Sequence, residues 1–280
     1  VWGKARTDSI SHILFDSVRG KNKQLSSNTT SAEVTRTSLA YDFTDDGFIV
    51  TTAGNLANAE DYVAWCWKSG GDAVTNAIGT ITSDVSANVD AGFSIVKYSG
   101  TGTAQTIGHG LSSAPELIIT KGLTSVTNWA TYSATLGATK YLVLDGTNAA
   151  ISTSAAAWNN TAPTSSVFSV GSGFSYTSGI AYCFHSVAGY QKVGTYNGNG
   201  TTNVVNTGFQ PRFVMVKASS HASSWYIVDS ARTDDNFLSP DLSNAEYTDS
   251  GKINFTSTGF TLTSISYNNS GYTWIYLAIA

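Results

Sequence analysis

The sequence predicts an all-β protein of three tandem antiparallel β-sandwich units, jelly-roll or lectin-like in kind. One run of β-branched and aromatic residues occurs three times: Tyr62-Val63-Ala64-Trp65-Cys66-Trp67-Lys68, Ile180-Ala181-Tyr182-Cys183-Phe184-His185 and Trp274-Ile275-Tyr276-Leu277-Ala278-Ile279. Each copy is bounded by polar or Gly-containing sequence and reads as a buried closing strand. The spacing before each copy also repeats: Lys4 to Val63 and Lys121 to Ile180 span 59 positions, and Lys217 to Ile275 spans 58. Composition agrees, because charged residues make up only 12% of the chain, about half the usual share. Gly, Ser, Thr and Asn take their place, as in short strands joined by polar turns. No segment carries a convincing 3.6-residue apolar period.

Unit one covers residues 1–68. Asp16-Ser17-Val18-Arg19, Leu25-Ser26 and Ala32-Glu33 return in unit three as Asp229-Ser230-Ala231-Arg232, Leu238-Ser239 and Ala245-Glu246, at a constant offset of 213. One position is then lost, and Gly47-Phe48 matches Gly259-Phe260. A register held this long marks a structural repeat rather than chance similarity. Residues 69–91 form a linker or added strand, whose Ile78, Ile81, Val85 and Val89 can lie along a neighbouring face. Unit two covers 92–188 and unit three 189–280. Both open with a piece that unit one lacks: Tyr98-Ser99-Gly100-Thr101-Gly102-Thr103 corresponds to Tyr196-Asn197-Gly198-Asn199-Gly200-Thr201, with strands on either side. This front piece reads as a β-hairpin feeding the core strand. Its absence predicts an unpaired sheet edge in unit one, to be covered by preceding sequence, by the 69–91 linker or by a neighbouring copy. The linker is the most economical of the three. With no initiator Met and no signal peptide, the chain reads as mature, excerpted, or both.

Several function classes are disfavoured by composition. The formal charge is −4 and there is no basic cluster, so the footprint of a nucleic-acid binder is missing. No apolar run of ~18 residues predicts membrane insertion. Cys66 and Cys183 lie 117 apart, the offset between Lys4 and Lys121. They therefore occupy equivalent positions in separate units and are expected to be buried free thiols.

Gly92-Phe93-Ser94-Ile95-Val96-Lys97-Tyr98, His109-Gly110-Leu111 with Pro115, Trp158-Asn159-Asn160-Thr161-Ala162-Pro163, Ala181-Tyr182-Cys183-Phe184-His185-Ser186-Val187 and Gly208-Phe209-Gln210-Pro211 resemble a family of tandem-repeat β-sandwich proteins of tailed, particularly marine, bacteriophages. Asp16-Ser17-Val18-Arg19-Gly20 with Leu25-Ser26-Ser27-Asn28 fits the same pattern, and the resemblance extends over essentially the whole chain. It implies a non-enzymatic virion structural protein on the exterior of the particle, in a tail fibre or appendage that contacts the host surface. Its expected partners are other virion proteins, copies of itself and host surface glycans bound weakly and polyvalently. A capsid or tail decoration protein is the first alternative, and an enzyme acting on polysaccharide the second. The resemblance supplies no catalytic residues.

Candidate sites are few. The repeated acids Asp16/Glu33 and Asp229/Glu246 suit a corner salt bridge, since an arginine follows each Asp by three residues. A calcium site is the alternative. A glycosidase pair is disfavoured because unit two has Ser133 where the others have Asp. His12, His109, His185 and His221 lack zinc spacing. Trp129 and Trp225 stand eight residues after their anchor lysines, where unit one has His12. These two, with Trp158, Tyr98 and Tyr196 in turns or at strand ends, are the candidate glycan-stacking residues. Core packing is the competing role for each.

Overall fold

Successive side chains of a strand point to opposite faces. A closing strand that is apolar at every position must therefore bury both faces. In the computed structural model, which describes residues 1–36, 41–51, 61–153, 155–233, 235–249 and 252–280, this requirement sets the architecture. Unit one contains β1 (Trp2–Ala5), β2 (Ile13–Leu14), β3 (Lys23–Gln24), β4 (Val34–Thr35), β5 (Tyr41–Thr44), β6 (Gly47–Val50) and the closing strand β7 (Tyr62–Trp65). Next come β8 (Val74–Asn76) and β9 (Ser83–Asn88). Unit two contains β10 (Phe93–Tyr98), β11 (Gln105–Gly108), β12 (Leu117–Gly122), β13 (Ala130–Ser133), β14 (Lys140–Val143), β15 (Ile151–Ser152), β16 (Val167–Val170) and the closing strand β17 (Gly179–Phe184). Unit three contains β18 (Gln191–Asn197), β19 (Asn203–Asn206), β20 (Phe213–Ala218), β21 (Trp225–Asp229), β22 (Asn236–Phe237), β23 (Tyr247–Thr248), β24 (Ile253–Thr256), β25 (Gly259–Leu262) and the closing strand β26 (Thr273–Ile279). All pairings between named strands are antiparallel.

The three copies share one register. Lys4 pairs with Val63, Lys121 with Ile180 and Lys217 with Ile275. Each closing strand belongs to an inner sheet, ordered β2-β1-β7, β15-β14-β13-β12-β17-β10-β9-β8 and β18-β26-β20-β21. Smaller sheets, β5-β6, β11-β16 and β19-β25-β24, form a second layer. On one face, Ile180, Tyr182 and Phe184 join Ile275, Leu277 and Ile279, with Trp65, Trp2 and Trp129, in a single core shared by the three units. On the other face, Ala181 and Cys183 meet Phe168 and Val170 in a core private to unit two. Trp274, Tyr276 and Ala278 meet Phe260 and Leu262 in one private to unit three. Unit one's private core has, among the described residues, Ile13, Phe15 and Tyr41 at its centre. Each large side chain so buried contributes about 1.5–3 kcal/mol, which accounts for the aromatic and aliphatic repeat.

Three expectations are corrected. The front piece is not a hairpin, because its two strands enter different sheets. β10 pairs with β17 while β11 pairs with β16, and β18 pairs with β26 while β19 pairs with β25. The glycine-containing turn, with Gly102 at φ 80° and Gly200 at φ 72°, carries the chain from one layer to the other as an arch. The 69–91 segment does not cover unit one. β9 pairs with β10 along its whole length and β8 adds outside it, because Val85 inserts into unit two's private core. Among the described residues β7 pairs with β1 alone. Finally, both cysteines are free, but only Cys183 is buried; Cys66 is exposed. Cys66 faces unit one's private side, where no arch lies over it among the described residues.

In native protein one thiol per chain, Cys66, should therefore react with a disulfide reagent without denaturant, more slowly than a free thiol because partial burial pushes it up from its ordinary value. The second equivalent should appear only on unfolding. Two thiols reactive without denaturant, or none, would contradict this placement.

Candidate functional site: the junction of the three units

The repeated polar residues converge where the units meet, and they close the chain into a ring. Trp129 and Trp225 are almost wholly buried. An indole N–H can only donate, and each one crosses to the preceding unit: Trp129 Nε1 to the Ser26 carbonyl and Trp225 Nε1 to the Val143 carbonyl, both at 2.9 Å. His12 makes the equivalent reach from unit one to unit three. The Trp2 indole donates to its Nδ1 at 2.9 Å, so Nε2 carries the proton and donates to the Ser239 carbonyl at 3.0 Å. Burial, with the Lys4 charge second, pushes His12 down to about 3, so the ring is neutral at ordinary pH.

Backbone bonds repeat the same circuit. Glu33 N–H donates to Leu123 O (2.8 Å), Ala150 N–H to Ser219 O (2.8 Å) and Glu246 N–H to Arg6 O (2.7 Å). Those bonds join units one to two, two to three and three to one. The anchor lysines lie beneath them, fully buried. Lys121 Nζ donates to Thr30 O of unit one at 2.9 Å, and Lys217 Nζ to Thr147 O of unit two at 3.0 Å. Lys4 Nζ instead serves its own unit, at Ala5 O (2.7 Å) and Asp8 O (3.0 Å). Burial lowers all three lysines to about 8.

The paired acids are salt bridges. Arg19 Nε binds Asp16 at 2.5 Å and its NH1 binds Glu33 at 3.2 Å. Arg232 repeats this with Asp229 and Glu246, both at 2.7 Å. Each aspartate also accepts from the closing strand of another unit: Asp16 from the Tyr182 hydroxyl at 2.8 Å, Asp229 from Trp65 Nε1 at 2.9 Å. The third junction is apolar by comparison. Leu277 stands where Tyr182 and Trp65 stand, and Ser133, where the others have Asp, bonds to Thr135 of its own unit. Burial alone would raise Asp16, but the Arg19 charge, the Arg19 amide and the Tyr182 hydroxyl hold it below the usual carboxylate range. Burial likewise raises Glu246, and its bonds to Arg6 and Arg232 bring it below its ordinary value. Asp16 and Glu246 are thus held ionised by arginine. Among the described residues, no cluster of three or more His, Cys, Asp or Glu side chains is arranged to hold a metal ion.

The five aromatic candidates for glycan stacking are interior residues, which corrects their reading as surface platforms. Trp129 and Trp225 belong to the junction. Trp158, 1% exposed, sits in unit two's private core with Nε1 on the Lys140 carbonyl at 3.1 Å. Tyr98, 2% exposed, lies over Gly179 of the closing strand, where a Cβ would come within 2.5 Å of its ring. Tyr196 stacks on Trp274 with an interplanar angle of 2° and donates to Tyr267 O at 2.6 Å. Turn-like sequence around Trp158 and the strand-end positions of both tyrosines suggest exposure, but neighbouring sheets cover all three. Sequence reasoning did not identify the inter-unit circuit, although its signals, the lysine–aromatic spacing of eight and the repeated Ala-Glu, are present in the chain. At the centre of the junction a cavity of about 50 Å³ remains among Trp67, Phe93, Tyr182 and Phe213, with Asp16 at its wall. It has room for water-sized occupants.

Asp16→Ala would leave Arg19 buried beside a single partly exposed acid, so it should lower unfolding stability by about 3–5 kcal/mol in denaturant titrations. Removing the hydroxyl in Tyr182→Phe should cost about 1.5–3 kcal/mol, the range for a bond to a charged acceptor. The pH dependence has a definite sign. His12 has a folded value of about 3, below the unfolded value of about 6.5. The folded state thus binds fewer protons across that window, and stability, complete above about 6.5, falls as pH drops toward 3. His12→Gln keeps a donor for Ser239 O and an acceptor for Trp2. Its Tm should therefore match the parent near pH 7 and exceed it increasingly down to pH 3.5. Parallel Tm curves would show that protonating His12 carries no penalty.

Comparison of the chain with curated proteins and with solved structures finds no match. One family profile, described as a domain of unknown function (DUF7483), matches residues 1–280, the full length of this sequence. The chain therefore belongs to the DUF7483 family.

Proposed function

We propose that this chain is a non-enzymatic structural component of a tailed-phage particle, a building block of a tail fibre or similar appendage on the particle's exterior. The observation that carries the reading is where the reactive side chains go. Asp16, Asp229, Glu33 and Glu246 are bound to Arg19 and Arg232. His12 and the three anchor lysines are tied to backbone carbonyls. These repeated acids, His12 and the anchor lysines are thus committed to holding three units as one body, which supports the reading of a scaffold. The resemblance to tandem-repeat phage proteins supports the same reading. Because the five aromatic candidates are interior, contact with a host surface would use other residues, presented by the Gly-, Ser- and Thr-rich loops.

Antibodies raised against the chain should label the tail appendage of virions that carry it. Uniform labelling of the capsid lattice would replace this reading with that of a decoration protein. Depolymerisation of host surface polysaccharide by the purified chain would replace it with an enzyme.

A further inference from the structure

We propose that the cleft between units one and two binds a sugar acid, a saccharide unit carrying one carboxylate, with that carboxylate on Lys97. The cleft measures about 340 Å³, within the ~300–1,000 Å³ usual for ligand sites. Unit two lines it with Lys97, Thr124 and Ser178, and unit one with Arg19, Lys23 and Glu33. Strand pairing gathers the unit-two groups. Lys97 on β10 and Lys121 on β12 both stand opposite Ile180 of β17. Thr124 follows β12 and Ser178 precedes β17, so all three groups sit at one end of three neighbouring strands.

Lys97 marks the cleft as a site. Its side chain is half-buried, and its ammonium has no hydrogen-bond or ion-pair partner among the described residues. Asp84 stands directly opposite it on β9, yet the two form no ion pair. The Ser178 hydroxyl is likewise without a partner among the described residues, and that of Thr124 meets only Thr177, at 3.5 Å. A cation withdrawn from water without an acceptor is costly. Beside two hydroxyls with donors to spare, it is arranged for an anion with oxygen acceptors.

The other junctions satisfy the equivalent groups from within the chain. Thr195 stands opposite Ile275 as Lys97 stands opposite Ile180, and its hydroxyl donates to the Trp274 carbonyl at 2.7 Å. Arg6 stands where Leu123 does, since each carbonyl accepts the amide of the repeated glutamate. Arg6 lays its guanidinium on Glu246, at 2.9 and 3.1 Å. Leu123 has no such group to offer Glu33, which meets Arg19 at 3.2 Å and Lys23 at 3.4 Å within the cleft. The Glu33 carboxylate also narrows the ligand: it opposes a dianion such as phosphate and accepts bonds from sugar hydroxyls. A singly charged sugar acid fits both walls. A second cleft, of about 410 Å³, shares Lys97 and includes Asp84 and Ser99, so a saccharide chain can continue past the carboxylate. Only the source of the sugar, a host surface polysaccharide, rests on the function proposed above.

Two acidic probes, the methyl glycosides of glucuronic acid and of N-acetylneuraminic acid, are titrated into the native chain and followed by calorimetry and protein-observed NMR. Methyl glucoside is the neutral control, and acetate and inorganic phosphate are the anions without a sugar ring. At least one acidic glycoside should bind at least tenfold more tightly than every control, and its binding should weaken as salt is raised. Lys97→Gln should lower that affinity at least tenfold without lowering Tm, because the ammonium has no partner to lose. Ser178→Ala should lower it by a smaller factor, and Lys192→Gln, outside the cleft, should leave it unchanged. Failure of both acidic glycosides to bind would overturn the proposal, as would binding that survives Lys97→Gln. Acetate or phosphate binding as tightly as the glycosides would reduce the cleft to a general anion site and overturn it too. Each of these results leaves the virion-component reading standing, since antibody labelling tests that separately.

Discussion

Burial of the inner faces of all three closing strands, and of both faces in units two and three, is the constraint on which the rest of this structure depends. A sheet with one apolar face can stop at two layers. Here Tyr182 and Phe184 point one way while Ala181 and Cys183 point the other, and all four are buried. In units two and three the outer faces are met by the unit's own second sheet. The inner faces can be met only by one another, and three of them suffice to enclose a core. The private cores thus belong to the units and the shared core to the assembly, so no unit's inner sheet is fully covered when that unit stands alone.

Apolar contact alone leaves orientation loosely set, and the junction's hydrogen bonds supply it. Equivalent backbone bonds at Glu33, Ala150 and Glu246 fix the three units in one cyclic sense. Around them, Trp129, Trp225 and His12 give the same contact with two chemistries, because an indole N–H and a neutral imidazole N–H are interchangeable donors in this geometry. The junctions still differ in kind. Two combine an aspartate with a donor from the facing strand, Tyr182 or Trp65, and the third places Leu277 at that position where unit two has Ser133. The changes are paired, as the cost of an unmatched buried polar group requires.

Unit one is the least enclosed of the three. Among the described residues its private core holds Ile13, Phe15 and Tyr41 at its centre, with Ala64 and Cys66 exposed and Phe48 half-buried.

The sequence by itself determined the all-β class and the spacing that repeats along the chain. The equal spacing from Lys4, Lys121 and Lys217 to Val63, Ile180 and Ile275 returns as three equivalent antiparallel pairings. The sequence also determined the salt bridges at Asp16 and Asp229, since each arginine lies three residues away and needs no distant contact to meet its acid. Only the tertiary structure decided that unit three docks back onto unit one and that the two strands of each front piece enter different layers. Only it decided that residues 74–88 extend unit two. These outcomes depend on which of several similar edges and faces meet, and strands so alike in composition carry no local mark of that choice. The same reason explains the aromatics. Trp158, Tyr98 and Tyr196 sit at turns and strand ends whose sequence suits solvent, and what buries them is a neighbouring sheet brought from elsewhere in the chain.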